Sequence, residues 1–434
     1  MLAGFSRLDI TPPLGTPLAG FFSERLASGI VDPIELNAVA FNDGDKTSVI
    51  IVADCLGIRE DYATKIRSMI EEELGVPSSN VMLTATHSHT SFRLGVVPTA
   101  IKSNKRNSLD DPQYIYILLR KFVDAARIAI NDMKEATFEI GEAQTSEQIS
   151  FIRRYRMKDG SVKSFPPKLD PNILHPLGNA DNTLRLIRIN RKDGKDIAIT
   201  NFSTHACVVS GTLFSADWPG YIRKYFEESV DGTHCLMLVG AEGDANHVNV
   251  NSENLQRGPD EAKRIGRVLA EAAVRAWNTT KPVVADKITS DVRIVYTQTR
   301  VEGTERYDEA NKLYSDYFAG LTKPHEQYLA EARRIINTRI MPIYQSIPLT
   351  VMTFGEIAFV GFGGEPFTEY ATRARAIAPD KYVIAAACAN GFQGYLPTKQ
   401  AFADGGYEAV GSYFTPALED EIMNTVSEML DEIK

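Results

Sequence analysis

The sequence predicts an α/β fold in which mixed β-sheets are flanked by helices and a metal site lies at the carboxyl ends of strands. Three observations lead to this prediction. Apolar runs typical of buried strands alternate with long helical patterns. Five of these runs lead, through small residues, into a polar or metal-competent side chain, where open α/β sheets place their ligand sites. Strand ends carrying His, His, Asp, Glu and Tyr are what a single catalytic face would produce.

The first strand end carries a histidine pair. The run 81–85 is short, apolar and rich in β-forming residues, and the pair His87 and His89 follows it directly. The chain has only 7 histidines, so two of them within three positions are informative. In extended backbone, residues i and i+2 point to the same side. One imidazole would then bind a metal while the other faces a substrate; two solvated loop histidines are the alternative.

Four further strand ends repeat this arrangement. Small residues there let the backbone approach a bound ion or substrate closely. The run 196–202 leads to His205 and then to Asp217, the run 235–239 leads to Asp244, Asn246 and His247, the run 357–362 leads to Glu365, and the run 382–387 leads to Tyr395.

The remaining patterns place elements around these strand ends. They predict an ordered loop over 10–20, strands at 36–42, 47–53 and 287–297, helices at 60–74, 112–132, 259–277 and 416–433, a polar loop over 95–112 and a solvated helical hairpin over 304–339. The long irregular connection 150–182 is interpreted as a lid or binding loop. We expect one domain over 1–434, because candidate site residues come from nearly the whole length.

Composition excludes several functional classes. A hydrophobic content of 44% and a charged content of 24% are those of an ordinary globular protein. The formal net charge of −9, with no basic cluster, argues against nucleic acid and anionic membranes as partners. No apolar stretch approaches the roughly 20 residues of a membrane span, and the start lacks a signal-peptide pattern. We therefore expect a cytoplasmic protein with a small-molecule substrate, although a removed leader would leave the same appearance. The oligomeric state is not indicated.

The residues themselves suggest a zinc site. Zn²⁺ takes histidine nitrogens and carboxylate oxygens in tetrahedral geometry, and catalytic sites keep one position for water or substrate. His87 and His205 are the best nitrogen ligands, and Glu365 is the best carboxylate. The compact HExxH motif is absent, so the site must be assembled from residues far apart in sequence. The 4 cysteines are scattered and are interpreted as core residues.

Taken in order, the motifs resemble the catalytic domain of the neutral/alkaline ceramidases, zinc-dependent amidases that cleave the fatty-acyl amide of ceramide. The resemblance covers most of the chain. It rests on Asp9-Ile10-Thr11-Pro12 with Gly20, Thr86-His87-Ser88-His89, Thr204-His205 with Ser215-Ala216-Asp217, Gly243-Asp244, Gly364-Glu365-Pro366 with Arg373, and Asn390 to Tyr395 with Tyr407-Glu408-Ala409.

The resemblance implies a ligand set and a substrate side. The implied zinc ligands are His87, His205, Glu365 and Tyr395, and a nearby Zn²⁺ would favour the phenolate of the tyrosine. The residues His89, Arg153 and Tyr407 match positions that orient the substrate and stabilise the oxyanion, with Arg154 as an adjacent alternative to Arg153. Gly20, Asp217 and His247 are assigned to substrate binding.

Two departures from the family shape the expected reaction. Asn246 stands where the family has its serine nucleophile, and an amide cannot take that role. A zinc-activated water would then attack, with Asp244 or His247 as general base, although each has a structural interpretation as a turn or loop residue. The family's longer members carry an immunoglobulin-like domain that does not follow here. We therefore expect a small soluble amide, ester or lactone as substrate rather than a long-chain sphingolipid.

Three hypotheses remain at this stage. The first is a zinc-dependent, ceramidase-like hydrolase. The second is a non-catalytic metal- or ligand-binding homologue, which the missing serine favours and the complete ligand set opposes. The third is a metal enzyme with lyase or isomerase chemistry.

Overall fold

The computed structural model describes residues 1–101 and 108–432; part of the predicted loop 95–112 therefore lies outside the described residues. The helices are α1 (Glu60–Leu74), α2 (Pro112–Asn131), α3 (Asp217–Ser229), α4 (Pro259–Trp277), α5 (Tyr307–Phe318), α6 (Glu326–Asn337), α7 (Thr368–Ile377), α8 (Lys399–Asp404), α9 (Tyr407–Gly411) and α10 (Leu418–Glu432).

The strands include many pieces of two to four residues around the site. They are β1 (Leu2–Asp9), β2 (Pro17–Leu18), β3 (Arg25–Leu26), β4 (Gly29–Ile30), β5 (Glu35–Asn42), β6 (Thr47–Ala53), β7 (Gly57–Ile58), β8 (Val81–Ala85), β9 (Arg93–Leu94), β10 (Lys134–Gln144), β11 (Phe151–Ile152), β12 (Arg154–Met157), β13 (Val162–Ser164), β14 (Ile173–Pro176), β15 (Thr183–Arg191), β16 (Asp196–Phe202), β17 (Leu213–Phe214), β18 (Thr233–Val239), β19 (Ala245–Asn246), β20 (Lys281–Val283), β21 (Ile288–Gln298), β22 (Tyr344–Phe354), β23 (Ile357–Phe362), β24 (Glu365–Pro366), β25 (Tyr382–Ala386) and β26 (Tyr395–Leu396).

Two mixed sheets form the centre, as the sequence predicts. The larger sheet runs β18-β16-β15-β10-β1-β5-β6-β8, with β20 paired to β10, and the smaller runs β21-β22-β23-β25. The strands that lead into the site pair in parallel with a neighbour: β8 with β6, β16 with β18, and β25 with β23. Their carboxyl ends therefore point the same way as their parallel neighbours.

Apolar side chains fill the space between the sheets and beneath the helices. Phe41 and Ile199 of the large sheet pack with Phe359 of the small sheet in one buried cluster. The helices α1 and α2 cover the end of the large sheet that contains β8, and α3 and α4 cover the end that contains β18. The helices α7 and α10 cover the small sheet. Mixed sheets flanked by helices are thus confirmed.

The end of β25 joins both edge strands of the large sheet. The amide of Ala387 donates to the carbonyl of Val239 (3.0 Å), so β25 continues beside β18. On the other side, Asn390 and Leu83 bond twice: the Asn390 amide donates to the Leu83 carbonyl (2.7 Å), and the Leu83 amide donates to Asn390 Oδ1 (2.9 Å). These bonds bring the carboxyl ends of β8, β18 and β25 to one place.

Two regions that the sequence describes as loop or solvated surface have a different structure. The connection 150–182 is not irregular, because it contains the short strands β11 to β14, of which β12 pairs with both β13 and β14. The predicted hairpin over 304–339 is confirmed as α5 and α6, but it is not a solvated layer. Arg334 and Ile335 of α6 are buried, and Arg334 Nε donates to the carbonyl of Val410 in α9 (2.8 Å).

Among the described residues, none of the helices is both long enough and apolar enough to cross a membrane.

Candidate metal centre

The first histidine is fixed by backbone geometry and by a carbonyl. His87 lies two residues after β8 in the left-handed region (φ 59°), so the chain turns here and is not extended as the sequence analysis assumed. Its Nδ1 lies 2.8 Å from the carbonyl oxygen of Leu56 and is therefore the protonated nitrogen. The lone pair of His87 is left on Nε2, which is the arrangement of a metal-ligating imidazole.

The second histidine is held in the same way. His205 follows β16, and its Nδ1 lies 2.8 Å from the carbonyl oxygen of Glu242 and 3.2 Å from that of Ala245. Its Nε2 is buried and has no hydrogen-bond partner. Burial lowers the pKa of both imidazoles, that of His87 to about 4, so both rings are neutral and carry their lone pair on Nε2.

The carboxylate and the phenol are brought together by strand register. Glu365 of β24 pairs directly with Tyr395 of β26 in a short parallel ladder. Glu365 Oε2 lies 3.5 Å from His87 Nε2 and 3.3 Å from His205 Nε2, and the Tyr395 ring stacks on His205 at 6.3 Å between centroids. Burial raises the pKa of Glu365, whereas His87, Arg153 and a hydrogen bond from Tyr395 oppose that rise.

These donors fit a divalent cation. Two neutral imidazole nitrogens and a carboxylate oxygen converge, and both His205 Nε2 and Glu365 Oε2 are buried without a hydrogen-bond partner. Buried polar atoms in native proteins are almost always paired, and unpaired lone pairs that lie this close together fit a shared cation. Nitrogen and oxygen ligands of this kind suit Zn²⁺.

A second carboxylate, which the sequence analysis did not single out, lies beside this group. Glu242 follows β18 and is fully buried, and one of its oxygens lies within 4.8 Å of ligand atoms of His205 and Glu365. It also forms such a group with His87 and Cys388. Burial raises its pKa well above the usual value, and Glu365 adds to the rise. The sequence pattern that could have identified Glu242 is Gly240-Ala241-Glu242-Gly243, in which a charged residue stands between small residues at a strand end.

His89 lies at the edge of the group and is covered by the N-terminal loop. Its Nε2 lies 3.2 Å from His87 Nε2, so the pair meets although the backbone is not extended. Gly20 (φ 94°) lies against this ring, and a Cβ at Gly20 would lie 2.6 Å from His89 Nδ1. Phe21 contacts the same ring edge-on at 5.5 Å. The close approach of Gly20 to His89 thus leaves no room for a side chain at this position.

Arg153 is a buried cation held beside the phenol. Its Nε bonds Glu408 Oε1 (2.7 Å), its Nη2 bonds the carbonyl of Gly243 (2.8 Å), and its guanidinium carbon lies 5.2 Å from the centre of the Tyr395 ring. Burial lowers its pKa, but Tyr395 and Glu408 outweigh burial and the net shift is upward. Arg154 pairs with the other oxygen of Glu408 (3.6 Å) and donates to the carbonyl of Gly405 (2.6 Å).

The second tyrosine completes this side. Tyr407 begins α9, and its ring lies 5.7 Å from that of Tyr395 and 5.7 Å from that of Phe165. Its amide donates to Ser164 Oγ (3.1 Å), and Ser164 in turn donates to Glu408 (2.6 Å). Burial raises the pKa of Tyr407 to about 12, so its hydroxyl is a proton donor at neutral pH.

A pocket of about 400 Å³ opens next to Arg153. Its walls are largely apolar and come from β12, β19 and the loops after β13 and β19. It is lined by Arg153, Tyr155, Phe165, Pro166, Pro167, Lys168, Asn246, Val248, Val250, Leu255, Gln256 and Arg257. The connection 150–182, expected to be a binding loop, supplies half of this lining.

Three of the sequence-derived candidates bond to neighbouring backbone. Asp217 accepts from the amides of Val209 (2.8 Å) and Trp218 (2.7 Å), and burial raises its pKa to about 7. Asp244 accepts from the amide (2.8 Å) and hydroxyl (3.2 Å) of Thr368, and burial raises its pKa to about 6.

His247 is the third. Its Nε2 lies 2.8 Å from the carbonyl of Gln256, and burial lowers its pKa to about 4. The structure thus brings His87, His89, His205, Glu365 and Tyr395 together, with Arg153 and Tyr407 adjacent. Asp217, Asp244 and His247 hold surrounding segments.

Together, the mixed α/β architecture and the buried His/Glu group at strand ends describe a protein with a metal-competent centre. A scan with protein-family models finds no match, and a search of curated protein sequences finds none either. Solved structures do match. The chain is similar to a neutral ceramidase from Pseudomonas aeruginosa, with a TM-score of 0.73, 17% identity, and coverage of 99% of this chain and 73% of that one.

It is also similar to a ceramidase complexed with C2, with a TM-score of 0.74, 16% identity, and coverage of 99% of this chain and 75% of that one. The chain therefore has a neutral ceramidase-like fold, as its motifs suggested.

Proposed function

We propose that the protein is a zinc-dependent hydrolase that acts on the carbonyl group of a small amide, ester or lactone. One observation carries the proposal: the Nε2 atoms of His87 and His205 both lie within 3.5 Å of Glu365 Oε2, inside a buried group. The neutral ceramidase-like fold supports a hydrolytic activity.

In this proposal His87, His205, Glu365 and Tyr395 hold the zinc ion. The carbonyl oxygens of Leu56 and Glu242 fix both imidazoles in the tautomer that presents Nε2. When bound, Zn²⁺ supplies Lewis-acid chemistry that polarises a carbonyl group and makes water acidic. Tyr395 adds a phenol that reaches Glu365 and lies under the guanidinium of Arg153.

The substrate would lie with its carbonyl between the metal ligands and Arg153, and with its apolar part in the adjoining pocket. A cavity of about 400 Å³ is within the range of small-ligand pockets, and its apolar walls suit an acyl chain or ring of modest size. Arg153, Tyr407 and His89 are proposed to donate hydrogen bonds to the oxyanion. Arg153 is held for this by Glu408 and by the carbonyl of Gly243 before any substrate arrives.

Proton transfer is assigned to His89. Its Nε2 is 3.2 Å from that of His87, so it borders the place where a reacting carbonyl would lie. Asp244 and His247 are poorer candidates, because Asp244 accepts from Thr368 and the Nε2 of His247 faces the carbonyl of Gln256. Asn246 lines the pocket, and its Oδ1 accepts from the amide of Val248 (3.0 Å). We propose that it shapes the pocket and contacts the substrate without attacking it.

A second candidate function is a non-catalytic homologue that binds a metal or ligand. Asn246 at the position of the family's serine favours it, because an amide cannot form an acyl-enzyme. The two candidates share the same metal centre and differ in turnover alone.

The zinc content of the purified protein tests the proposed metal centre. Elemental analysis of purified protein should give about one zinc per chain, and His205→Ala should give none. Zinc-loaded protein should then hydrolyse a member of a panel of soluble amides, esters and lactones. Zinc without turnover on any panel member would favour the second candidate. Efficient cleavage of a long-chain ceramide would overturn the small-substrate part of the proposal.

A further inference from the structure

The carboxylate of Glu242 is the least satisfied polar group near the metal centre. Both of its oxygens are buried without a hydrogen-bond partner, and the side chain has no exposed surface. Among the described residues, no ion pair joins Glu242 to a lysine, arginine or histidine. A buried carboxylate without donors or a cation destabilises the fold.

Arg153, whose positive charge lowers the pKa of Glu242, is already engaged. Its Nε bonds Glu408 and its Nη2 bonds the carbonyl of Gly243. Asp244, two residues after Glu242, has its own donors in Thr368. The two acidic residues of this turn therefore differ: one is satisfied by protein groups, and the other faces the unpaired atoms of the metal group.

The turn that carries Glu242 is packed so that it cannot swing away. The amide of Gly243 donates to the carbonyl of Pro366 (2.8 Å), and a Cβ at Gly243 would lie 2.4 Å from the carbonyl oxygen of Glu365. The carbonyl of Glu242 also holds Nδ1 of His205 at 2.8 Å. The backbone of Glu242 thus orients one ligand, and its side chain lies within 4.8 Å of the ligand atoms of His205 and Glu365.

We infer that Glu242 is a further ligand of the metal ion, so that the centre contains two carboxylates. Two ionised carboxylates, Glu242 and Glu365, balance the charge of a divalent cation beside two neutral imidazoles. A single cation would then satisfy three unpaired groups: an oxygen of Glu242, Glu365 Oε2 and His205 Nε2. This inference rests on the proposed metal centre and changes its ligand set, which the family resemblance limits to His87, His205, Glu365 and Tyr395.

The test measures zinc affinity and thermal stability in the full chain. Zn²⁺ is titrated into the apoprotein in competition with a chromophoric chelator, for the wild type, Glu242→Gln and Glu242→Ala. Asp244→Asn is the matched control, because it changes a buried carboxylate in the same turn that already has donors. We expect Glu242→Gln and Glu242→Ala to lose at least 10-fold in zinc affinity and Asp244→Asn to stay within 3-fold of the wild type.

The apoproteins should show the opposite trend in stability. Without metal, Glu242→Gln removes an uncompensated carboxylate and should melt at or above the wild-type Tm, while its gain in Tm on adding Zn²⁺ should be smaller. Unchanged zinc affinity and an unchanged Tm gain in Glu242→Gln would overturn the inference and leave the proposed function intact. Failure of the wild type to bind zinc would instead remove the proposed function. Should Glu242→Gln not fold, Glu242→Asp provides the same comparison, since a shorter carboxylate should bind zinc more weakly than the wild type.

Discussion

The metal side and the substrate side of this site are built by different means. His87, His205 and Glu365 follow buried strands of five to seven residues in the two sheets, and Glu365 is further fixed opposite Tyr395 by a strand ladder. The pocket beside Arg153 is instead lined by the two- to four-residue strands β12 and β19 and by the loops after β13 and β19. The metal side therefore has a rigid scaffold, while the shape of the pocket depends on local turns.

The difference between a strand-built metal side and a loop-built pocket matches what each side has to do. Ligand atoms must converge to within a few tenths of an ångström, which strands of fixed register provide. A pocket must accommodate one substrate among many, and loops on a rigid scaffold vary for that purpose. Substitutions on the metal side should therefore abolish zinc binding and turnover together. Substitutions on the substrate side should lower the rate of turnover while zinc stays bound.

The largest expected effect is on the metal side. His205→Ala removes one of two imidazole ligands and should abolish both zinc binding and turnover. His234→Gln is the matched control, because His234 stacks on Phe5 at 4.4 Å, away from the metal group, and should keep its zinc. Elemental analysis measures the zinc content of both variants. Zinc retained in His205→Ala would contradict the ligand set.

Tyr407→Phe should separate rate from metal content. It removes the hydroxyl and leaves the ring against Tyr395 and Phe165. Loss of one oxyanion donor costs about 10²–10³ in kcat, so we expect that loss with zinc content unchanged. Zinc analysis and steady-state kinetics on the same preparation make the measurement. An emptied metal site would show that Tyr407 and Tyr395 have exchanged roles.

The sequence revealed the metal side more fully than the substrate side, for a physical reason. Buried strands have a compositional signal, so β8, β16 and β23 were delimited as the structure has them, and small residues after each marked the ligand positions. Glu242 was overlooked because the same turn offered Asp244 in a recognisable motif. The strands β11 to β14 were missed because runs of two to four residues carry too little periodicity to distinguish them from loop.

Strand β15 was missed although its burial alternates along Thr183–Arg191. Its arginines interrupt the apolar run that drew attention to the other strands. The convergence of β8, β18 and β25 could not be predicted from the sequence. It depends on hydrogen bonds of Asn390 and Ala387 that join segments distant in sequence.

Gly20→Ala should cause a smaller loss of activity, because Gly20 contacts His89 between the metal side and the substrate side. Gly20 has a φ of 94°, and an added Cβ would lie 2.6 Å from His89 Nδ1, so the loop and the imidazole must separate. Strain of this kind costs about 1–3 kcal/mol, and we expect kcat/KM to fall about 10-fold with zinc retained. Gly15→Ala is the control, since Gly15 also has a positive φ (88°) but open space around it. Equal kinetics in the two variants would remove the role assigned to this close approach.

The smallest expected effect concerns His247, which supports the pocket wall through Gln256. Burial lowers its pKa to about 4, whereas an unfolded histidine titrates near 6.5. Because the unfolded chain binds the proton more readily, the stability that the neutral ring contributes is complete above about pH 6.5 and is lost as the pH falls towards 4. Urea unfolding at pH 7 and pH 5 should show the wild type losing about 2 kcal/mol more than His247→Gln, which carries no titrating group there. The variant should retain its zinc, since His247 is not in the metal group. An equal loss of stability in both proteins would mean that this ring is protonated as easily in the folded chain as in the unfolded one, and a loss of zinc would move His247 from the substrate side to the metal side.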